Sequence, residues 1–278
     1  MTQVQLQISP AALRIGMIVP SSNVTMEREL PKLFSAQARA MSQDFGFHAA
    51  RVRMRNVSPE ELLSMNSQAS RAAEELADAQ VDVLLYACLV AVMVEGPGAH
   101  CLAESRLKDA LQKSGRDAPV ISSAGALVNT LHDMGARRIG LIAPYAPALT
   151  EKVCQYLAAE SIEVVSSRSR NLTNNSEVGR LDQLELLELA RTLPRDIDAV
   201  VLSACVQMPS LDMIQRVEDE LKIPVISAAT ATAYQCLKAL GIQPEIHGAG
   251  RLLAGTEIPA VSLLPRQSPF EVGASVTA

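Results

Sequence analysis

Cys88 and Cys205 each close a short apolar run: Val81-Asp82-Val83-Leu84-Leu85-Tyr86-Ala87-Cys88 and Ile197-Asp198-Ala199-Val200-Val201-Leu202-Ser203-Ala204-Cys205. Runs of this length and content read as buried strands. In open α/β sheets, ligands bind just outside the carboxyl ends of the strands. A thiol at that place in each half of the chain can face its counterpart across a cleft. That points to chemistry at carbon without a cofactor. One unpaired cysteine is ordinarily a small buried hydrophobe; equivalent placement in both halves is what favours function. Cys101, Cys154 and Cys236 fall inside expected helices beside Leu and Ala, where packing accounts for them.

Other polar residues stand at strand exits. Asn23 follows Pro20-Ser21-Ser22 and precedes a helix, whose first N–H groups attract anions. Capping by Ser22 or Asn23 explains the same residues more simply. Ser122, Ser123, Ser227 and Thr230 share that ambiguity. Tyr145 directly follows Pro144, placed either to donate its hydroxyl into a cleft or as a half-buried surface aromatic. Asn174 and Asn175 precede Ser176-Glu177-Val178-Gly179, where capping again suffices. The four histidines show no ligand spacing, and His100 reads as structural or exposed. Gly248-Ala249-Gly250 lacks a following dinucleotide-binding pattern, and no phosphate-binding loop motif is present.

The elements that must position these groups come in two sets. Arg14-Ile15-Gly16-Met17-Ile18-Val19-Pro20 resembles Arg138-Ile139-Gly140-Leu141-Ile142-Ala143-Pro144. The cysteine strands form a second pair. Pro119-Val120-Ile121-Ser122-Ser123-Ala124 and Pro224-Val225-Ile226-Ser227-Ala228-Ala229 form a third. Their order is kept, as in a duplicated α/β unit. Helices are expected between them over 24–34, 101–113, 125–134, 147–160, 177–193, 211–221 and 229–240. Another starts at Ser58-Pro59-Glu60-Glu61, where Ser58 caps and Glu61 completes a capping box. This alternation predicts an α/β fold: two pseudo-symmetric domains, each a parallel sheet flanked by helices, with the active site in the interdomain cleft. The expected division is 1–123 plus 238–278, carrying Cys88, and 124–237, carrying Cys205. A loosely ordered tail is expected from about Pro259.

Bulk properties set outer limits. The 278 residues are 48% apolar with 3% aromatic residues and no Trp, so Ala, Val, Leu, Ile and Met build the core. A helix-covered parallel sheet suits that content. Net charge is −5, against a nucleic-acid partner. The basic alternation Arg51-Val52-Arg53-Met54-Arg55 reads as a solvated strand face. Five irregularly spaced cysteines argue against a disulfide framework or structural zinc site. No apolar run is long enough for a bilayer, and Met1 to Pro10 lacks a signal-peptide core. A reduced, cytoplasmic, non-membrane protein is expected.

Four strings carry a resemblance to a known family: Ile18-Val19-Pro20-Ser21-Ser22-Asn23-Val24-Thr25-Met26-Glu27, Tyr86-Ala87-Cys88-Leu89-Val90-Ala91, Asn175-Ser176-Glu177-Val178-Gly179-Arg180-Leu181 and Ser203-Ala204-Cys205-Val206-Gln207. With them the chain resembles the aspartate/glutamate racemase superfamily, and within it the maleate cis-trans isomerases. Arylmalonate decarboxylases are similar but keep only the second cysteine. The resemblance implies cis-trans isomerisation of maleate to fumarate through a succinyl-cysteine. Cys88 is then the nucleophile and Cys205 its acid/base partner, while Asn23, Tyr145 and Asn175 hold the substrate carboxylates. It also implies a homodimer, no metal and no cofactor. A two-cysteine racemase or epimerase is one alternative, and a non-enzymatic two-domain binding protein another.

Overall fold

A computed structural model describes residues 12–255; the N-terminal decapeptide and the tail from Pro259 lie outside the described residues. Among the described residues, eight strands form two four-stranded parallel sheets. The first contains β1 (Leu13–Pro20), β2 (Phe45–Val52), β3 (Val83–Tyr86) and β4 (Val120–Ser122), in the order β2-β1-β3-β4. The second contains β5 (Arg138–Ala143), β6 (Glu163–Ser169), β7 (Ala199–Ser203) and β8 (Val225–Ser227), in the order β6-β5-β7-β8. The same order twice is the duplication read from the strand pairs.

The repeat extends to individual hydrogen bonds. Asp82 N–H donates to the Arg14 carbonyl at 2.7 Å, and Asp198 N–H to that of Arg138 at 2.7 Å. Each aspartate also accepts from the same arginine's N–H, at 2.8 and 2.9 Å. Just before each cysteine, Ala87 N–H donates to Ile18 and Ala204 N–H to Ile142, both at 2.9 Å. The strands that lead to the two cysteines, β3 and β7, are buried at every position, as strands covered on both faces must be.

Ten helices among the described residues cover the sheets: α1 (Met26–Met41), α2 (Pro59–Asp78), α3 (Leu89–Met93), α4 (Ala99–Lys113), α5 (Ser123–Asp133), α6 (Pro147–Ala159), α7 (Asn175–Val178), α8 (Leu184–Arg191), α9 (Leu211–Leu221) and α10 (Ala228–Ala239). α5 and α10 pack on each other, and α10 also reaches α1, β3 and β4. Ser122 caps α5 by accepting from Gly125 N–H at 2.9 Å. Ser227 and Thr230 form a reciprocal capping box on α10. For these residues the capping explanation holds.

Three local expectations are corrected. α1 runs seven residues past the expected end at Phe34. Its mid-helix Gln37 is buried and bonds the backbone of Gln243 and Glu245, so a polar residue there continues the helix. The helix expected over 177–193 is split into α7 and α8, and the Asp182 carboxylate holds the turn before α8 by accepting from Leu184 N–H at 2.9 Å. The capping box at α2 is only half made. Ser58 accepts from Glu61 N–H at 3.4 Å, but the Glu61 carboxylate turns to the N–H groups of Arg55 and Asn56.

Aromatic packing is concentrated in one place. Three of the four phenylalanines meet on the β2 side of the first sheet, where Phe34 makes edge-to-face contacts with Phe45 and Phe47 at 4.9 and 5.6 Å between centroids. Phe34 is fully buried. Phe34→Ala is expected to destabilise the chain by about 3–5 kcal/mol, read as a lower urea midpoint at unchanged slope.

Candidate active site

In the order 2-1-3-4, chain direction across the sheet reverses between the first and third strands, and the crevice outside their carboxyl ends is where ligands bind. Asn23 follows β1, Cys88 follows β3, Tyr145 follows β5 and Cys205 follows β7. Four of the five candidates thus flank the two switch points. Asn175 opens α7, beyond β6.

Cross-links between the halves bring these exits together. The segments beyond β2 and β6 meet as a short antiparallel bridge, Asn56 with Asn174. Val57 N–H donates to Thr173 O at 2.8 Å, and Asn175 N–H to Arg55 O at 3.1 Å. The diverted Glu61 carboxylate holds the first of these segments. Asn174 is the cap of α7, accepting from Ser176 N–H at 3.0 Å. Asn175 is the buried one of the two, and its amide donates to Ser22 Oγ at 2.8 Å.

Asn23 is fully buried and does two things at once. Its Oδ1 accepts from Thr25 N–H and Met26 N–H, both at 3.0 Å, turning the chain into α1. Its Nδ2 finds no acceptor among the described residues. A buried donor without a partner costs about 1–3 kcal/mol, which a ligand oxygen would offset. Arg51 is exposed, as the alternation of Arg51-Val52-Arg53-Met54-Arg55 predicts. Its guanidinium donates to the carbonyls of Ser21 and Asn23 at 2.9 and 3.1 Å and pairs with Glu27, steadying this loop.

Both thiols are nearly sealed, with Cys88 4% and Cys205 6% exposed. Burial pushes the Cys88 thiol up to about 12; the Ala91 N–H opposes it, and nearby Cys205 raises it further. Burial also raises Cys205, against hydrogen bonds from Tyr145 and from the N–H groups of Gln207 and Met208. Gln207 N–H lies 3.4 Å from Cys205 Sγ. Ser203 Oγ shapes that turn by donating to the carbonyls of Cys205 and Met208.

Tyr145 is buried, not the half-buried surface residue of the simpler reading. Burial, then the neighbouring Cys205, hold its hydroxyl well above the usual phenol range, so it remains a donor. It donates to Ala204 O at 3.0 Å, beside the Cys205 sulfur. The residue therefore has one proton and two acceptors within reach.

The remaining cysteines and His100 lie apart from this cluster. Cys236 is buried in α10, as packing predicts. Cys101 is exposed, correcting its assignment to packing, because it faces solvent from the first turn of α4. His100 is structural: it is buried, with Nδ1 2.6 Å from the Tyr156 hydroxyl. Among the described residues, no group of three His, Cys, Asp or Glu side chains could hold a metal ion. Sequence reasoning gave Gln207 no role, took Ser22 only as a cap and Arg51 only as part of a solvated face. Gln207 lay inside a quoted string, two residues beyond the cysteine, but nothing in its type marked it.

Two buried thiols at matching sheet exits, near enough for Cys205 to raise Cys88, define a two-cysteine enzyme of the duplicated α/β class. Residues 15–253 match the family described as arylmalonate decarboxylase. The chain is 50% identical over 244 residues to a maleate isomerase from Geobacillus stearothermophilus, covering 87% of this chain and 97% of that one. A crystal structure of a maleate isomerase from Pseudomonas putida S16 with maleate shares 42% identity and superposes with a TM-score of 0.87, covering 88% of this chain and 98% of that one. A Cys-to-Ser mutant of the Nocardia farcinica maleate cis-trans isomerase with a covalently bound succinylcysteine intermediate shares 47% identity at a TM-score of 0.85, covering 87% and 98%. This chain belongs to the maleate cis-trans isomerase family, within the wider relationship to the aspartate/glutamate racemase superfamily.

The burial of Cys88 has a direct chemical consequence. Its thiol is protonated at neutral pH, so its rate of alkylation by iodoacetamide is expected to rise about tenfold per pH unit from 7 to 10 without a plateau. Exposed Cys101 is expected to label faster at pH 7. Peptide mass mapping of each cysteine against pH checks both statements.

Proposed function

We propose that this chain isomerises maleate to fumarate through a covalent bond between the substrate and Cys88. The carrying observation is the pair of buried thiols, Cys205 near enough to raise Cys88, with the unpartnered buried amide of Asn23 at the exit of the adjoining strand, in a chain of this family. The relative from Pseudomonas putida S16 was crystallised with maleate, and the one from Nocardia farcinica holds a succinylcysteine. Both support the reading.

A carbon–carbon double bond does not rotate at ambient temperature, but a single bond does. Cys205, where hydrogen bonds oppose the effect of burial and the Gln207 N–H lies 3.4 Å from the sulfur, is the thiol better able to carry the resting negative charge. It takes the proton of Cys88 as the Cys88 sulfur bonds to one alkene carbon. The alkene electron pair moves toward the carboxylate on the neighbouring carbon. Asn23 Nδ2, the Tyr145 hydroxyl and Asn175 Nδ2 are the donors that hold the two carboxylates and stabilise that charge. Cys205 then gives its proton to the neighbouring carbon, completing the succinyl-cysteine. Rotation about the new single bond follows. Cys205 removes a proton, the double bond re-forms, the bond to Cys88 breaks, Cys205 returns its proton to the freed Cys88 thiolate, and fumarate leaves. Proton and electron counts close over the cycle.

Two further points belong to this proposal. The division into 1–123 with 238–278 and 124–237 belongs to it, with the return to the first part falling at α10, a helix that follows β8 and packs on α1, β3 and β4. A homodimer is the assembly the resemblance implies, and light scattering tests it. Among the described residues, no helix is long and apolar enough to cross a membrane.

Proton NMR of the protein with maleate is expected to show the maleate singlet replaced by that of fumarate. Absence of fumarate, together with deuterium entering a racemised α-carbon of another carboxylate, would sink the proposal. Cys88→Ser is expected to lower kcat by about 10³-fold or more. Cys205→Ser is expected to accumulate one substrate equivalent on Cys88, read by intact-protein mass spectrometry.

Asn23→Asp separates capping from binding. It keeps the acceptor for Thr25 and Met26 N–H but buries a carboxyl, so the melting temperature is expected to fall and activity is read well below it. It removes the free donor and sets a negative charge beside a dianion. The expected loss in kcat/KM is about 10²-fold or more.

A further inference from the structure

Gln207 is the most connected polar side chain between the two halves that the mechanism does not use. Its Oε1 accepts from Val24 N–H at 2.9 Å and from Thr25 N–H at 3.3 Å. Its Nε2 donates to the carbonyls of Ser22 and Asn175, both at 3.0 Å. Its own carbonyl accepts from Thr25 Oγ1 at 2.7 Å, and its N–H points at Cys205 Sγ. One buried residue therefore touches both neighbours of Asn23, the backbone of Asn175 and the sulfur of Cys205.

The room for this amide is made by Gly179, in the Asn175-Ser176-Glu177-Val178-Gly179 string. A Cβ built there would stand 2.5 Å from Gln207 Nε2 and 3.1 Å from its Cδ. Gly179 has φ −69, so its backbone needs no glycine. Space against Gln207 accounts for the residue.

We propose that Gln207 is the positioning residue that sets Asn23, Asn175 and Cys205 in register across the cleft, and that Gly179 is small in order to admit its amide. This rests on the reading that those three residues serve maleate isomerisation. Both carbonyls that Nε2 holds belong to the loops bearing the substrate donors. Without it the loops shift by a fraction of the distance that separates a productive from an idle pose, and misplacement of about 1 Å costs about 10²-fold in rate.

Gln207→Met keeps length and neutrality and removes every side-chain hydrogen bond. At a temperature well below its melting point, KM for maleate is expected to rise about tenfold and kcat to fall about tenfold or more. Gly179→Ala, which touches no substrate, is expected to shift KM and kcat in the same directions by about threefold or more. A residue that only stabilised the fold would lower the melting temperature and leave both constants alone. Wild-type turnover of maleate is measured first, because its absence overturns the isomerase reading itself. Wild-type turnover with KM and kcat of both variants within about twofold of wild type overturns the positioning role alone. Should Gln207→Met not fold, Gly179→Ala decides by the same criterion.

Discussion

Burial works against thiolate formation at both Cys88 and Cys205, because sulfur loses its hydration when it is enclosed. The chemistry nevertheless needs a naked, reactive thiolate and a carbanion-like intermediate protected from bulk water. The protein meets these demands by sealing the thiols and returning donors selectively. Cys88 receives one backbone N–H, from Ala91. Cys205 receives the Tyr145 hydroxyl and two backbone N–H groups. None of these donors is charged, so each stabilises negative charge without adding a cation that would trap the dianionic product.

Duplication supplies the geometry for this arrangement. In each half, the aspartate that opens the central strand bonds the arginine opening its neighbour, and the alanine before the cysteine bonds the neighbouring strand. These bonds fix how far each thiol projects from its sheet. The halves are then joined where the repeat has diverged. Gln207 has no counterpart in the Cys88 segment, where the residue two beyond the cysteine is Val90. Glu29 of α1 accepts from the N–H groups of Ser210 and Leu211 at the start of α9, at 2.8 and 3.0 Å. The Cys205 loop therefore belongs to the second sheet by chain order and to the first half by its hydrogen bonds.

Much of the architecture was legible because it is written in apolar runs with fixed punctuation. The strand pairs, the parallel sheets and the cysteine positions follow from short β-branched segments ended by Pro, Ser or Cys. The roles of Asn23 and Asn174 were ambiguous because one side chain type serves both capping and binding. Only burial and an unpartnered Nδ2 separate the two uses. Arg51 is solvated as its alternation predicts, but alternation reports faces and not the loop carbonyls that its guanidinium also reaches. Gln207 and Glu29 were illegible for a different reason. Their partners are about 180 residues away, and no local pattern encodes a hydrogen bond across a cleft.

The unequal surroundings of the two thiols also bear on the choice between isomerisation and racemisation. A racemase must run the same proton transfer from either face, and matched environments for two acid/base groups serve that need. Here the matched part ends at the strand exits. Cys88 faces one donor and is pushed up to about 12, so it gains from bonding to carbon, where its charge disappears. Cys205 is ringed by three donors and can hold charge between proton transfers. One sulfur is thereby suited to covalent attachment and the other to carrying a proton. That division of roles arises from residues on the second half alone: Tyr145 at its first strand exit, and Gln207 and Met208 in the turn after Cys205.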